Sequence, residues 1–286
     1  SGKVYLLDRD THTYNELQVS SYSDTQVTLS SPIDTTNIVG TTCFYVAPTG
    51  KDISNKQMVY GNIAVPDYAV LYLQLDDSNP TNITKLNLTS NDLYNLYNSS
   101  TATVNYKTYN IQSVSFDSTQ VVGFQFGSQI ENYTISNQGF LAYLVNLNQP
   151  IYVPNNVTLS TSNSFLRCCF NFDSPLVFQT GHSSIIGTYF MAYNYNFNQP
   201  LDLSSFDRFN NCNYFFYYNY KFNQKITFPE TLNNTTLSQY FMSYCYSYNK
   251  SLNDLLKNIT IISGESFSNM RTFNQPIIFS DNLISI

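Results

Sequence analysis

The sequence predicts a mainly β protein: a small N-terminal β-sandwich or barrel followed by a solenoid whose coils are about 25 residues long. Two observations carry that reading. Short apolar-alternating runs separated by turn residues fill residues 1–80, and a motif recurs at near-constant spacing through the second half.

In the first half the runs lie around Val4–Leu7, Leu17–Ser20, Val27–Leu29, Cys43–Val46, Met58–Ile63 and Ala69–Leu75. Alternation of apolar and polar residues is the period of a strand with one face buried. Breakers separate several of them: Ala47-Pro-Thr-Gly50, Pro66-Asp67 and Asp76-Asp-Ser-Asn-Pro80. Thr89–Tyr97 has Leu93, Leu96 and Tyr97 at helical spacing, with Ser90 expected as the N-cap. A short helix near 90–97 could cap the open end of the solenoid. Val104–Ile111 and Val114–Phe126 read as strands leading into the first coil, with Phe124 and Phe126 as a degenerate copy. The domain boundary is placed near Asn98–Thr103, dividing a 1–100 docking domain from a 101–286 solenoid.

The repeat is anchored on Leu147-Asn-Gln-Pro-Ile151, Phe172-Asp-Ser-Pro-Leu176, Phe197-Asn-Gln-Pro-Leu201, Phe222-Asn-Gln-Lys-Ile226, Tyr248-Asn-Lys-Ser-Leu252 and Phe273-Asn-Gln-Pro-Ile277. The starts are 25, 25, 25, 26 and 25 residues apart. Three residues before each anchor runs a column of Leu144, Cys169, Asn194, Asn219, Cys245 and Met270. Apolar pairs such as Phe165-Leu166 and Phe190-Met191 precede that column, and short alternating runs follow the anchor. One copy cannot bury its apolar face alone, so neighbours must stack. Asn at the column position supplies hydrogen bonds, whereas Cys is expected mainly to pack.

The frame F-[LM]-x-x-[NC]-x-x-F-N-Q-P-[LI]-x-[LVF] resembles BspA-type leucine-rich repeats, in the variant found in mycoplasma surface proteins and in structural proteins of phages from low-GC hosts. The resemblance covers about half the chain, from roughly Ser115 onward. It implies a leucine-rich-repeat solenoid of roughly five to seven coils, with Cys169, Asn194, Asn219 and Cys245 as the structural ladder. It implies no single function, since such repeats serve in adhesins, surface proteins and virions alike. The Leu252 copy lacks Asn-Gln-Pro and carries Asp254 at an apolar position, so an irregular coil is expected there. Ile286 follows Pro276 without a polar closing segment. The last coil is therefore expected to be either truncated or covered by another subunit.

Composition narrows the function. Only 11% of residues are charged, so Asn, Ser, Thr, Gln and Tyr must wet the surface. A net charge of −6 without a Lys/Arg cluster argues against nucleic acid as a partner. The apolar runs, Tyr68–Leu75 among them, are too short for a membrane helix. Five cysteines without a CxxC pair, and only His12 and His182 to join them, favour buried thiols over zinc. Asp8-Arg9-Asp10 and Asp76-Asp77 read as solvated turns more readily than as calcium loops. Cys168-Cys169 is read as a ladder residue and its neighbour, a vicinal disulfide being the lesser alternative. Asn-x-Ser/Thr sequons are frequent, as chance dictates in such a composition. No nucleophile–base pair or carboxylate pair presents itself, so neither catalytic residues nor a cofactor is expected.

The expected contact surface is aromatic, in the stretches Tyr193-Asn-Tyr195, Tyr214–Tyr220 and Tyr240–Tyr248. Tyrosine offers a flat apolar face with a polar tip, suited to sugars and proteins. The named candidates are Tyr193, Tyr195, Tyr217, Tyr218, Tyr220, Tyr244 and Tyr246, joined by Tyr152 and Asp202 at outward strand positions. The reading is a non-enzymatic structural or binding protein of a virion: a head-decoration, head-fibre or tail-associated component with capsid or tail proteins as partners, forming a homo-oligomer. Low charge, no evident leader before Ser1 and the open terminus motivate it. The alternative is a secreted or cell-surface adhesin that binds host protein or glycan.

Overall fold

The computed structural model describes residues 2–8, 13–17, 19–22, 27–30, 42–48, 57–61, 68–76, 82–98, 101–102, 106–127, 130–136, 138–160, 162–179, 181, 184–206, 208–209, 211–230 and 235–286. Over these residues the chain is mainly β, with small antiparallel and parallel sheets, none of them closed, and few helical residues. His12, His182, Arg9, Asp10 and Asp77, and most of the expected turn residues of the first half, lie outside the described residues.

The apolar-alternating runs form β1 (Gly2–Asp8), β3 (Val19–Tyr22), β4 (Val27–Leu29), β5 (Thr42–Pro48) and β6 (Gln57–Gly61), and a further strand that no run marked, β2 (Thr13–Leu17), lies between β1 and β3 in the chain. The first sheet has the order β2-β1-β5-β6 and is antiparallel, with Val4 paired to Leu17 on one side and to Val46 on the other. β3 and β4 pair separately as an antiparallel two-stranded unit.

β7 (Ala69–Leu73) is buried at every position. It lies between β8 (Thr84–Leu88) and a later antiparallel strand, Val121–Phe126, which explains why it reads as a continuous apolar run. A helix, α1 (Ser90–Asn98), follows β8. Thr89, not Ser90, caps it: the Thr89 hydroxyl accepts from Asp92 N–H at 3.2 Å, and Asp92 Oδ2 accepts from Thr89 N–H at 3.0 Å. This reciprocal pair is a capping box with Asp in the Glu/Gln position. Burial alone would raise the Asp92 pKa, but hydrogen bonds from Gln112 and Thr89 outweigh it and hold the carboxyl below its usual range. Thr89→Ala is expected to cost about 1 kcal/mol, measured as a lower denaturation midpoint.

After α1 come β9 (Thr101–Ala102), β10 (Lys107–Ile111), β11 (Val114–Asp117) and β12 (Val121–Phe126). The expected strand Val114–Phe126 is thus broken in two, with Thr119 N–H donating to Asp117 Oδ1 at 2.8 Å in the turn between them. Phe124 and Phe126 are buried in β12, antiparallel to β7, and β12 also packs beside Ile151–Val153, one repeat step later in the chain. The β7–β12 pairing joins residues on both sides of the boundary expected near 98–103, and one hydrophobic cluster runs from Ala69 to Ile262. Leu93 and Leu96 of α1 belong to it, and the Tyr97 ring meets Phe140 edge-on at 5.9 Å.

From Tyr133 onward the pairing turns parallel, between segments one repeat apart. Tyr133–Ile135 pairs with Val157–Leu159, Ile151–Val153 with Leu176–Phe178, Ile185–Ile186 with Arg208–Phe209, Leu201–Asp202 with Ile226–Thr227, and Thr236–Leu237 with Ile261–Ile262. Residues separated by 25 positions, such as Ile151 and Leu176, are direct partners. The copy at Leu252 departs as expected, forming a one-turn helix, α2 (Asn253–Leu256), that buries Leu255 and Leu256. Among the final residues Ile277, Ile278, Phe279, Ile284 and Ile286 are exposed. No described helix is long and apolar enough to cross a membrane.

Candidate functional site

The anchors build the interior. Leu147, Phe172, Phe197 and Phe222 are fully buried, Tyr248 nearly so, and Phe273 partly. Their rings stack one on the next: Phe172 on Phe197 at 5.6 Å, Phe197 on Phe222 at 5.8 Å, Phe222 on Tyr248 at 5.6 Å and Tyr248 on Phe273 at 6.4 Å. A second buried column runs through Phe140, Phe165, Phe190, Phe215 and Phe241.

Beside them runs the hydrogen-bonded ladder. Cys169 N–H donates to Asn194 Oδ1 at 2.8 Å, and Asn194 N–H to Asn219 Oδ1 at 3.0 Å. Asn219 N–H faces the sulfur of Cys245, as Leu144 N–H faces that of Cys169. Asn219 Nδ2 donates to the carbonyls of Met191 and Phe216. The cysteines do the same, Cys169 Sγ donating to Leu141 O at 3.1 Å and Cys245 Sγ to Phe216 O at 3.2 Å. Cysteine here is therefore a hydrogen-bonding rung, not merely packing. Burial raises the pKa of both thiols, Cys245 to about 12, and keeps the S–H donor in place.

The turn before each anchor aims the tyrosines outward. In the turn around Tyr193, residues Tyr189, Met191 and Tyr193 all have left-handed φ of 57°, 53° and 64°, alternating with Phe190 and Ala192, which do not. Ser164, Leu166 and Cys168 repeat the pattern 25 residues earlier, and Tyr214 with Tyr218 and Tyr240 with Tyr244 repeat its ends. Each bulky left-handed residue costs about 1 kcal/mol or more. The offset comes from bonds between successive repeats of the sequence: Tyr189 N–H donates forward to Asn213 O, Tyr193 N–H forward to Tyr217 O, and Met191 N–H back to Phe165 O. Met191 is buried, while Tyr189 and Tyr193 emerge half-exposed on the other side of the turn.

Successive turns place these rings in columns. Tyr189, Tyr214 and Tyr240 stack at 4.5 and 5.0 Å. Tyr193, Tyr218 and Tyr244 stack at 5.4 and 4.3 Å. Phe170, Tyr195, Tyr220 and Tyr246 stack at 4.8, 5.0 and 4.9 Å. Tyr217 lies between columns, edge-on to Tyr193, Tyr214, Tyr240 and Tyr244. Two guanidinium groups close column ends: Arg167 lies 3.9 Å from the Tyr189 ring centre and Arg271 lies 4.0 Å from that of Tyr246.

This arrangement changes what the face offers. Parallel stacking at van der Waals spacing covers the ring faces that the sequence reading assigned to sugars. Ring edges and hydroxyls are left for a partner, in rows repeating about every 4.8 Å, the spacing of neighbouring strands. Tyr193, Tyr195, Tyr217, Tyr218, Tyr220, Tyr244 and Tyr246 are brought together. Tyr152 and Asp202 are not: they sit on parallel strands, Tyr152 paired with Val177 and Asp202 with Thr227. Sequence reasoning missed Phe170, Tyr189, Arg167 and Arg271, although Tyr189 stands 25 residues before Tyr214, and Phe170 stands 25 before Tyr195.

Asp202 instead lines a groove of about 360 Å³ with Gln199, Lys225 and Thr227 over Pro175, Leu176, Val177, Phe178, Pro200 and Leu201. Among the described residues no group of three or more His, Cys, Asp or Glu side chains is placed to hold a metal ion.

Burial raises the tyrosines too, Tyr220 to about 12, and Tyr193, Tyr195 and Tyr217 move in the same direction. For an acid raised on folding, the stabilisation is complete below the unfolded value and is lost as pH climbs to the folded one. The thiols begin this loss at pH 9 and the tyrosines at pH 10, both continuing towards about 12. Lys107 opposes it: desolvation lowers its pKa to about 8, so its penalty disappears as pH rises from there to 10.5. The thiols and tyrosines are more numerous, and the melting temperature is expected to fall steadily above about pH 9–10, with tyrosinate absorbance lagging that of free tyrosine. Circular dichroism melts across the alkaline range, beside ultraviolet titration, check both.

Set against family models, curated proteins and solved structures, the chain finds no match in any of the three.

Proposed function

We propose that the chain is a non-enzymatic structural and binding protein whose second half is a leucine-rich-repeat solenoid of the BspA type, presenting its tyrosine face to protein partners in a larger assembly. The observation that carries this reading is the set of parallel tyrosine columns. An ordered row of half-exposed rings and hydroxyls is held rigid by the coils beneath it, so little side-chain entropy is lost when a partner docks. Tyr and Arg are enriched at protein interfaces and charged residues are depleted at their cores, a composition this face shares. The parallel pairing at a 25-residue step and the Cys/Asn ladder support the solenoid.

The assembly we favour is a virion, as a decoration, fibre or tail-associated component, with copies of the chain arranged by the symmetry of the site. The low charge and uncharged polar surface support that choice over a solitary domain. Native mass spectrometry and electron microscopy of the source fraction test it. Stoichiometric presence in particles is the expected result, and Tyr195→Ala/Tyr220→Ala protein should fold yet leave the particle. Recovery from the cell surface or medium, with particles devoid of the chain, would replace this reading with the adhesin.

A further inference from the structure

The groove over the parallel strands is a second surface, built from residues the tyrosine face does not use. Its volume of about 360 Å³ falls within the range of small-ligand sites. The floor is apolar and contoured by Pro175, Pro200 and Val177. Around it stand an acceptor carboxylate, an ammonium donor and a hydroxyl, on Asp202, Lys225 and Thr227.

Their bonding leaves them available. Asp202 Oδ1 accepts from Ser204 N–H at 2.9 Å, which fixes the carboxylate while its other oxygen takes no hydrogen bond among the described residues. Gln199 is held on the other side, Nε2 donating to Asp173 O at 3.1 Å and Asp173 Oδ1 at 3.2 Å, so that its carbonyl oxygen remains as an acceptor. Asp202 and Lys225 line the same cavity without forming an ion pair among the described residues. The strand pairing holds Asp202 beside Thr227 at one register position.

These groups decide between ligand classes. A single carboxylate sharing the groove with an ammonium is a poor seat for a divalent cation, whose charge Lys225 opposes. A lone Lys opposite an Asp is a poor seat for phosphate or a nucleotide. A wholly apolar ligand would leave both charges desolvated and unpaired. A sugar ring satisfies the set: adjacent hydroxyls donate to the Asp202 carboxylate and accept from Lys225, and the C–H face of the ring covers the Pro and Val floor. We propose that this groove binds one pyranose unit of a glycan. Such a ligand goes beyond the assembly reading and is compatible with any partner on the tyrosine face.

The test is saturation-transfer NMR on the full chain with three probes: methyl α-glucopyranoside, N-acetylglucosamine and sodium glucuronate. Transfer to ring protons of one of the two uncharged sugars is expected at millimolar concentration. Asp202→Ala should weaken that binding about tenfold, the worth of a hydrogen bond to a charged group. Val177→Phe should abolish it by filling the floor. Asp202 is exposed and Val177 lies at a half-buried strand position, so melting curves for both are expected to match the parent. Silence from every probe overturns the proposal, as does transfer that survives both variants or that Tyr195→Ala removes in their place. Particle association is scored separately, so either result leaves the assembly reading to its own experiment.

Discussion

Asn219→Leu is expected to destabilise the protein by about 4 kcal/mol, because at one stroke it leaves two buried backbone groups without partners and strips a third of one of its donors. Asn219 Oδ1 is the acceptor for Asn194 N–H, and its amide donates to the carbonyls of Met191 and Phe216, the latter keeping Cys245 Sγ as a second donor. The side chain is fully buried, so water cannot replace the lost partners. Leucine matches asparagine in size, which separates the lost hydrogen bonds from any cavity. Asn219→Cys is the control: the thiols at Cys169 and Cys245 already receive a backbone N–H and donate to a carbonyl. It should lose less than half as much in urea denaturation under reducing conditions. Equal losses for the two variants would show that the column works by packing alone.

Phe197→Ala is expected to cost about 3–5 kcal/mol, the usual loss for a fully buried phenylalanine. Its ring is sandwiched between Phe172 and Phe222 and meets Phe216 edge-on at 5.9 Å, so the void would open in the middle of a stack and not at a margin that can collapse. Phe273→Ala removes the same side chain from a partly buried position with Tyr248 as its one stacking neighbour among the described rings. It should cost about 1–2 kcal/mol on the same burial argument. The comparison is made by denaturation midpoints followed by circular dichroism. Similar midpoints for the two variants would mean that anchor stacking contributes little to stability beyond the transfer of each ring.

Several features were legible in the sequence because they rest on local or periodic signals. Apolar alternation located β1, β3, β4, β5, β6 and β7 to within a few residues and missed β2, which the run at Leu17–Ser20 meets only at Leu17. Helical spacing located α1, although its cap shifted from Ser90 to Thr89, since two adjacent hydroxyl residues compete and the reciprocal bond with Asp92 favours Thr89. The near-constant 25-residue step marks the anchors and the column three residues before them. Phe124 and Phe126 mark the limit of local pattern, because aromatic alternation is shared by a repeat copy and by an antiparallel strand. The pairing of β12 with β7, across about fifty residues of chain, is set by tertiary contact alone.

The sequence by itself determined the periodicity, the identity of the inward residues and the low-charge character of the surface, because these are properties of residue type at fixed spacing. It could not determine what the tyrosines present. That depends on the spacing of successive repeats, which the hydrogen bonds of the left-handed turns set at the contact distance of aromatic rings. Stacking then hides the faces and exposes the edges and hydroxyls. The groove, likewise, exists because parallel register sets Asp202 beside Thr227 while the Lys225 carbonyl accepts from Leu201 N–H at 3.0 Å. Residues more than 20 positions apart become neighbours only through that register, and no local pattern in the chain encodes it.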